Sequence, residues 1–145
     1  GVLLPITGEL FMAERGAGSF CNGQRLRVSD IQQVGRARID FDSNALSDRM
    51  VFLERGSGII RQAGQLRCYG SAVASLCHVA TADSEAYVHM SLAPWDFAAA
   101  QLIVEEAGGK ASRPDGSRLR LFDKRDGILV SNGAIHHQLL RLLNS

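Results

Sequence analysis

The sequence predicts a layered α/β protein in which antiparallel hairpin strands come first. A mostly parallel sheet covered by helices is expected to follow. Three observations carry this. Turn dipeptides Thr7-Gly8 and Asn22-Gly23 sit between β-rich runs early in the chain. From Ala37 onward short strand-like runs alternate with helical apolar spacing, an order that yields a mainly parallel sheet with helices on both faces. The run Phe97 to Gly109 is so rich in alanine and aliphatics that a helix there must be buried on most sides.

Taken in order, residues 2–6 and 9–14 read as strands around Thr7-Gly8, and residues 19–21 and 25–28 as strands around Asn22-Gly23. Ser29-Asp30 and Gln32-Gln33 mark a polar linker, so residues 1–35 and 36–145 are expected to be separate units. Residues 37–41 read as a strand. Residues 47–60 have helical spacing, interrupted by Gly56 and Gly58. A short strand over 66–69 leads to Ser71, a helix cap, and then to a helix buried through Val73, Leu76, Cys77, Val79 and Ala80. Residues 86–90 form a strand with Tyr87 and His89 on one side. Pro94 suits the next helix start, Asp96 its positive end, and Gly108-Gly109 its stop. Strands near 110–112 and 128–130 precede an amphipathic helix over 135–143.

Composition narrows the function classes. The 145 residues are 46% hydrophobic and 21% charged, the balance of a globular domain. A net charge of +1 from 16 basic and 15 acidic residues argues against nucleic acid or an anionic membrane as partner. The basic run Arg113 to Arg125 also holds Asp115 and Asp123, which fits a solvated loop and strand edge. No apolar run approaches the ~20 residues that span a bilayer, and the start has neither the basic leader nor the apolar stretch of a signal peptide. Cys21, Cys68 and Cys77 form no Cys-x-x-Cys pair, so they are expected to be buried reduced thiols of a cytoplasmic protein. Cys68, Cys77, His78 and His89 lack any standard zinc spacing.

One motif is longer than these local signals. Pro94-Trp95-Asp96-Phe97-Ala98-Ala99, continuing to Glu105-Glu106-Ala107-Gly108-Gly109, resembles the C-terminal motif of the inositol monophosphatase family, within the magnesium-dependent, lithium-sensitive phosphatase superfamily. Glu9 to Gly23, Arg67 to Ala72 and Ile128 to Gly133 resemble that family's hairpin, its strand-to-helix turn at the substrate and its last strand. The likeness is weakest from Val34 to Gln65. It places Gly1 about midway along a longer chain, so the first hairpins would complete the sheet of an absent N-terminal half. That half would carry a Glu and an Asp-Pro-x-Asp-Gly-Thr/Ser loop, which hold most of the metal and position the attacking water. No such loop occurs here, so no catalytic residue is expected within this segment.

The resemblance implies a Mg²⁺-dependent phosphomonoesterase acting on inositol monophosphate or a similar sugar or polyol phosphate, as a homodimer. Asp96 would be a metal ligand that also lies against substrate. Gly70, Ser71 and Ala72 would touch substrate, at the kind of strand end where open α/β sheets bind ligands. His89 stands where the family often has an acidic residue that bonds substrate hydroxyls, which puts inositol specificity in question. Fructose 1,6-bisphosphate or phosphoadenosine phosphate as substrate, or a non-catalytic binding or regulatory protein of the same fold, are the competing readings. Glu105 and Glu106 lie more than two helical turns from Asp96 and read as surface residues, as do His136 and His137.

Overall fold

The computed structural model describes residues 1–119 and 126–145, with Asp126 as backbone only. The expected strand edge beyond Leu119 lies outside the described residues. Strands β1 (Val2–Leu4), β2 (Glu9–Glu14), β3 (Gly18–Cys21) and β4 (Gln24–Arg25) form an antiparallel meander in chain order. The register pairs Leu4 with Glu9, so the first turn spans Pro5 to Gly8 and the strand is shorter than expected. Pro5 has no N–H with which to continue the ladder. Cys21 pairs with Gln24 across Asn22 (φ 49°) and Gly23 (φ 82°), the double positive φ of a type I′ hairpin.

The second sheet has the order β6-β5-β7-β9-β8, from β5 (Arg38–Phe41), β6 (Gln65–Arg67), β7 (Ala86–Leu92), β8 (Lys110–Ser112) and β9 (Asp126–Ser131). Strand β5 runs parallel to β6 and β7, whereas β9 runs antiparallel to β7 and β8. Four of its strands, β5 to β8, therefore point the same way and β9 alone runs against them, so the sheet is mostly parallel, as expected, with one antiparallel strand. Helix α4 (Ala98–Glu106) carries the chain across from β7 to β8 in the same direction. Strand β8 leads on to β9 with no helix among the described residues, so β9 returns antiparallel and fits between them.

Helices α3 (Ala72–Ala80) and α4 lie between the two sheets. Leu76, Val79, Ile103 and Val104 pack there against Phe11 of β2 and Tyr87, Ile128 and Val130 of the second sheet. Helices α1 (Leu46–Arg55), α2 (Ser57–Gln62) and α5 (His136–Leu143) cover the opposite face. Phe52, Ile59, Leu139 and Leu143 meet Ile39, Val88 and Leu129 there. The period of two is visible in β7, where Tyr87 faces one layer and its neighbours Ala86 and Val88 face the other. Each fully buried aliphatic side chain of these layers contributes about 2 kcal/mol of transfer free energy. The single helix expected over 47–60 is two helices, broken at Gly56. None of the described helices is long and apolar enough to cross a membrane.

Four side chains differ from their sequence reading. Of the cysteines only Cys77 is buried, while Cys21 is intermediate and Cys68 exposed. His136 is fully buried, because it begins α5 on the side that packs on the sheet; His137 alone of that pair is exposed. Glu106 accepts hydrogen bonds from Gly16 N (2.9 Å) and Gly18 N (3.0 Å), so it ties the β2–β3 turn to the end of α4.

Candidate functional site

The carboxyl ends of β5, β6 and β7 converge, and this is where a parallel sheet presents its loops to a ligand. Each strand contributes. Asp42 follows β5, one residue beyond the register pair Phe41–Val88, which brings it level with His89. Cys68 and Gly70 follow β6, and Tyr87, His89 and Leu92 belong to β7. Together with Ser43, Asn44 and Ala72 these residues line a cavity of about 290 Å³.

The Gly70-Ser71-Ala72 turn opens this cavity. Gly70 has φ +73°, a conformation that costs an L side chain about 1 kcal/mol or more. Ser71 caps α3 through Oγ, which accepts from Ala74 N at 3.4 Å. Gly70 and Ser71 are exposed and Ala72 is intermediate. The Gly70 N–H does not point to a ligand. It donates instead to Asp42 Oδ1 at 2.8 Å, and the Cys68 thiol donates to the same oxygen at 3.0 Å. That bond to Asp42, followed by burial, pushes the Cys68 thiol above its usual value, so it stays protonated at neutral pH.

His89 is almost fully buried. Its Nδ1 accepts from Ser91 N at 3.0 Å, across the irregularity between His89 and Leu92 in the β7–β9 pairing. Bulges at such places re-aim side chains. The bond leaves the neutral ring with its proton on Nε2. Tyr87 lies two residues earlier on the same side, with ring centroids 6.3 Å apart. Burial first, and then the negative charge of Asp42, push the Tyr87 hydroxyl well above its usual value, and Asp96 adds to the effect. The Asp96 charge is therefore felt on the cavity side of β7.

Asp96 does not sit in the first turn of α4. It ends a short 3₁₀ turn, Pro94–Asp96, and Phe97 is the N-cap of the helix proper. Its Oδ2 accepts from Ala93 N at 3.2 Å, and the residue is half-buried. The other carboxylate oxygen suits a hard cation. Among the described residues no three His, Cys, Asp or Glu side chains cluster to hold a metal ion, so Asp96 offers one ligand and not a site. Of the five residues singled out in the sequence, Gly70, Ala72 and His89 line the cavity, whereas Ser71 and Asp96 are not among its lining residues.

The sequence reading missed Asp42. The rule that pointed to Gly70, ligands at carboxyl ends of parallel strands, applies equally to the residue after β5. What hid it was the weak local signal around Ser43 to Ala45.

The comparisons with known proteins agree over the full length. The inositol monophosphatase family model matches residues 2–145. A chloroplastic phosphatase of Arabidopsis thaliana is 40% identical over 136 residues, covering 90% of this chain and 35% of that protein. The fructose-1,6-bisphosphatase/inositol-1-monophosphatase of Thermotoga maritima is 30% identical over 146 residues, covering 97% of this chain and 52% of that protein. The inositol monophosphatase structure from Anabaena superposes with a TM-score of 0.87 at 30% identity, over 98% of this chain and 56% of that one. The chain thus spans about a third to a half of the length of these relatives. Sequence and fold agree along its whole length, and the chain belongs to the inositol monophosphatase family.

Proposed function

We propose that the intact protein is a divalent-cation-dependent phosphomonoesterase. Its expected substrate is inositol monophosphate or a similar sugar or polyol phosphate. The observation that supports this best is the cavity at the carboxyl ends of β5, β6 and β7, lined by Gly70, Ala72, His89 and Asp42. In this reading Gly70, Ser71, Ala72 and His89 bind substrate, while Asp96 binds substrate and one metal ion, with Mg²⁺ as the expected cation. Such a cation neutralises phosphoryl oxygens and supplies a reactive water. This chain's residues position the ester: the Gly70 turn forms the mouth, and the buried β7 side chains form the inner wall and exclude water. A cytoplasmic homodimer is part of the same proposal, as is the unit boundary near residue 35.

Two alternatives have specific support. The Thermotoga relative's name includes fructose-1,6-bisphosphatase, so a bisphosphate substrate competes, with phosphoadenosine phosphate beside it. A binding or regulatory role fits the finding that no three His, Cys, Asp or Glu side chains cluster to hold a metal ion among the described residues.

Phosphate release by the intact protein from myo-inositol 1-phosphate, fructose 1,6-bisphosphate and phosphoadenosine phosphate, with Mg²⁺ and with chelator, separates these readings. The expected result is Mg²⁺-dependent release from the inositol ester. Asp96→Asn should reduce it by about 100-fold or more, through lost charge at the cation. The melting temperature should hold, because Asn can still accept the Ala93 N–H. No release from any ester would favour the binding protein. Normal turnover by a less stable Asp96→Asn would make Asp96 a structural cap.

A further inference from the structure

Strand β5 and the residue after it carry two buried carboxylates on the same side, and only one is charge-balanced. Asp40 has the Arg67 guanidinium at 3.3 Å and the His78 ring at 3.8 Å. Asp42, 7% exposed, has no ion pair among the described residues. Its Oδ1 is held by Gly70 N and Cys68 Sγ. Its Oδ2 and Tyr87 Oη are both buried with no other hydrogen-bond partner among the described residues, and the two side chains lie close enough for the Tyr87 hydroxyl to lean on the Asp42 carboxylate. Burial and the Asp42 charge keep the Tyr87 hydroxyl protonated. The inner part of the cavity therefore combines a charged acceptor with a neutral donor. A cation near the rim is Arg49, an exposed side chain whose Nε donates to Ser43 Oγ at 3.4 Å. Its charge is screened by solvent in a way that the buried carboxylate's is not.

We infer that Asp42 is a specificity-determining residue: with Tyr87 it fits the inner wall of the cavity to uncharged hydroxyl groups and turns away a second phosphate. A hydroxyl can donate to Asp42 Oδ2 and accept from Tyr87 Oη–H at once. A phosphate dianion offers acceptors only and meets a like charge in a buried place, which costs affinity steeply. A substrate then lies with its hydroxyls inward and its one phosphate toward the mouth. The inference rests on the phosphomonoesterase reading above and narrows it to monophosphates.

The test is calorimetric binding of myo-inositol 1-phosphate and myo-inositol 1,4-bisphosphate to the intact protein and to Asp42→Asn. Asn keeps an oxygen for the Gly70 N–H and removes the charge. The wild type should prefer the monophosphate by about tenfold or more, and Asp42→Asn should shrink that ratio by about threefold or more. Equal or tighter binding of the bisphosphate by the wild type overturns the inference without recourse to any variant, so a poorly folding Asp42→Asn does not block the test. An unchanged ratio in a folded Asp42→Asn overturns it as well. Hydrolysis is read separately. Binding of both esters with no phosphate release counts against the phosphatase reading, while the affinity ratio still decides the role of Asp42.

Discussion

At the scale of single residues, His89 and Asp42 must be considered together. By the family resemblance His89→Glu is a restoration of an acidic acceptor. In the structure the neighbouring strand already brings one buried carboxylate level with that position. Exchanging a neutral ring for a second carboxylate places like charges in a poorly solvated wall. It also removes the Nδ1 acceptor of the Ser91 N–H. The expected outcome is a loss of about 3 kcal/mol in unfolding free energy, much of it recovered when Asp42→Asn is combined with His89→Glu. A double-mutant cycle by denaturant unfolding measures this coupling. Strict additivity would show that the two side chains do not sense each other. The contrast also shows what could be read from sequence. Strand period placed Tyr87 and His89 on one side, and a cap preference identified Ser71, because both depend on nearby residues. The Asp42–Gly70 bond joins residues 28 apart in sequence, and no local pattern encodes it.

At the scale of elements, the junction of β8, β9 and α5 is held by a buried histidine that sequence placed on the surface. The amphipathic pattern located α5 correctly but did not say which of the adjacent His136 and His137 faced the sheet. The answer lies in two serines on separate strands. Ser131 Oγ accepts from Gly133 N at 3.1 Å and lies 2.8 Å from His136 Nδ1. Ser112 Oγ lies 2.9 Å from His136 Nε2 and donates to Arg113 O at 2.8 Å. In the neutral ring all four contacts are satisfied when Ser131 O–H donates to Nδ1 and Nε2–H donates to Ser112 Oγ. Burial, with help from the charges of Lys110 and His137, lowers His136 from 6.5 to about 4. Because the folded value lies below the unfolded one, the stabilisation is complete above pH 6.5. It is lost as pH falls toward about 4, where the unfolded chain takes the proton first. The loss should approach about 3 kcal/mol over that window. Unfolding free energies of the wild type and His136→Gln from pH 7.5 to 4.5 test it: the difference between them should shrink as pH falls. Parallel curves would mean that His136 does not carry this pH dependence.

At the scale of the whole molecule, the described residues form two packed layers of apolar contact but leave apolar surface outside both. Leu3, Leu10 and Met12 are 59%, 43% and 56% exposed on the first sheet, and Trp95, beside Asp96, is 80% exposed. Patches of this kind mark surfaces that other protein covers. The chain also spans about half of the Thermotoga relative. On the phosphatase proposal Asp96 agrees with these observations, since no three candidate ligand side chains cluster among the described residues, whereas phosphate ester hydrolysis through bound cations needs several ligands. Residues 1–145 alone should therefore fold through their two cores yet release no phosphate from myo-inositol 1-phosphate at any Mg²⁺ concentration. They should also bind an apolar dye more strongly than the intact protein does. Folding is read from a cooperative thermal transition, so inactivity through misfolding is distinguishable from inactivity through a missing ligand set. Turnover by the isolated segment near that of a full-length relative would show that the ligands needed for hydrolysis are already within these residues, and it would remove the basis for treating Asp96 as one part of a larger site.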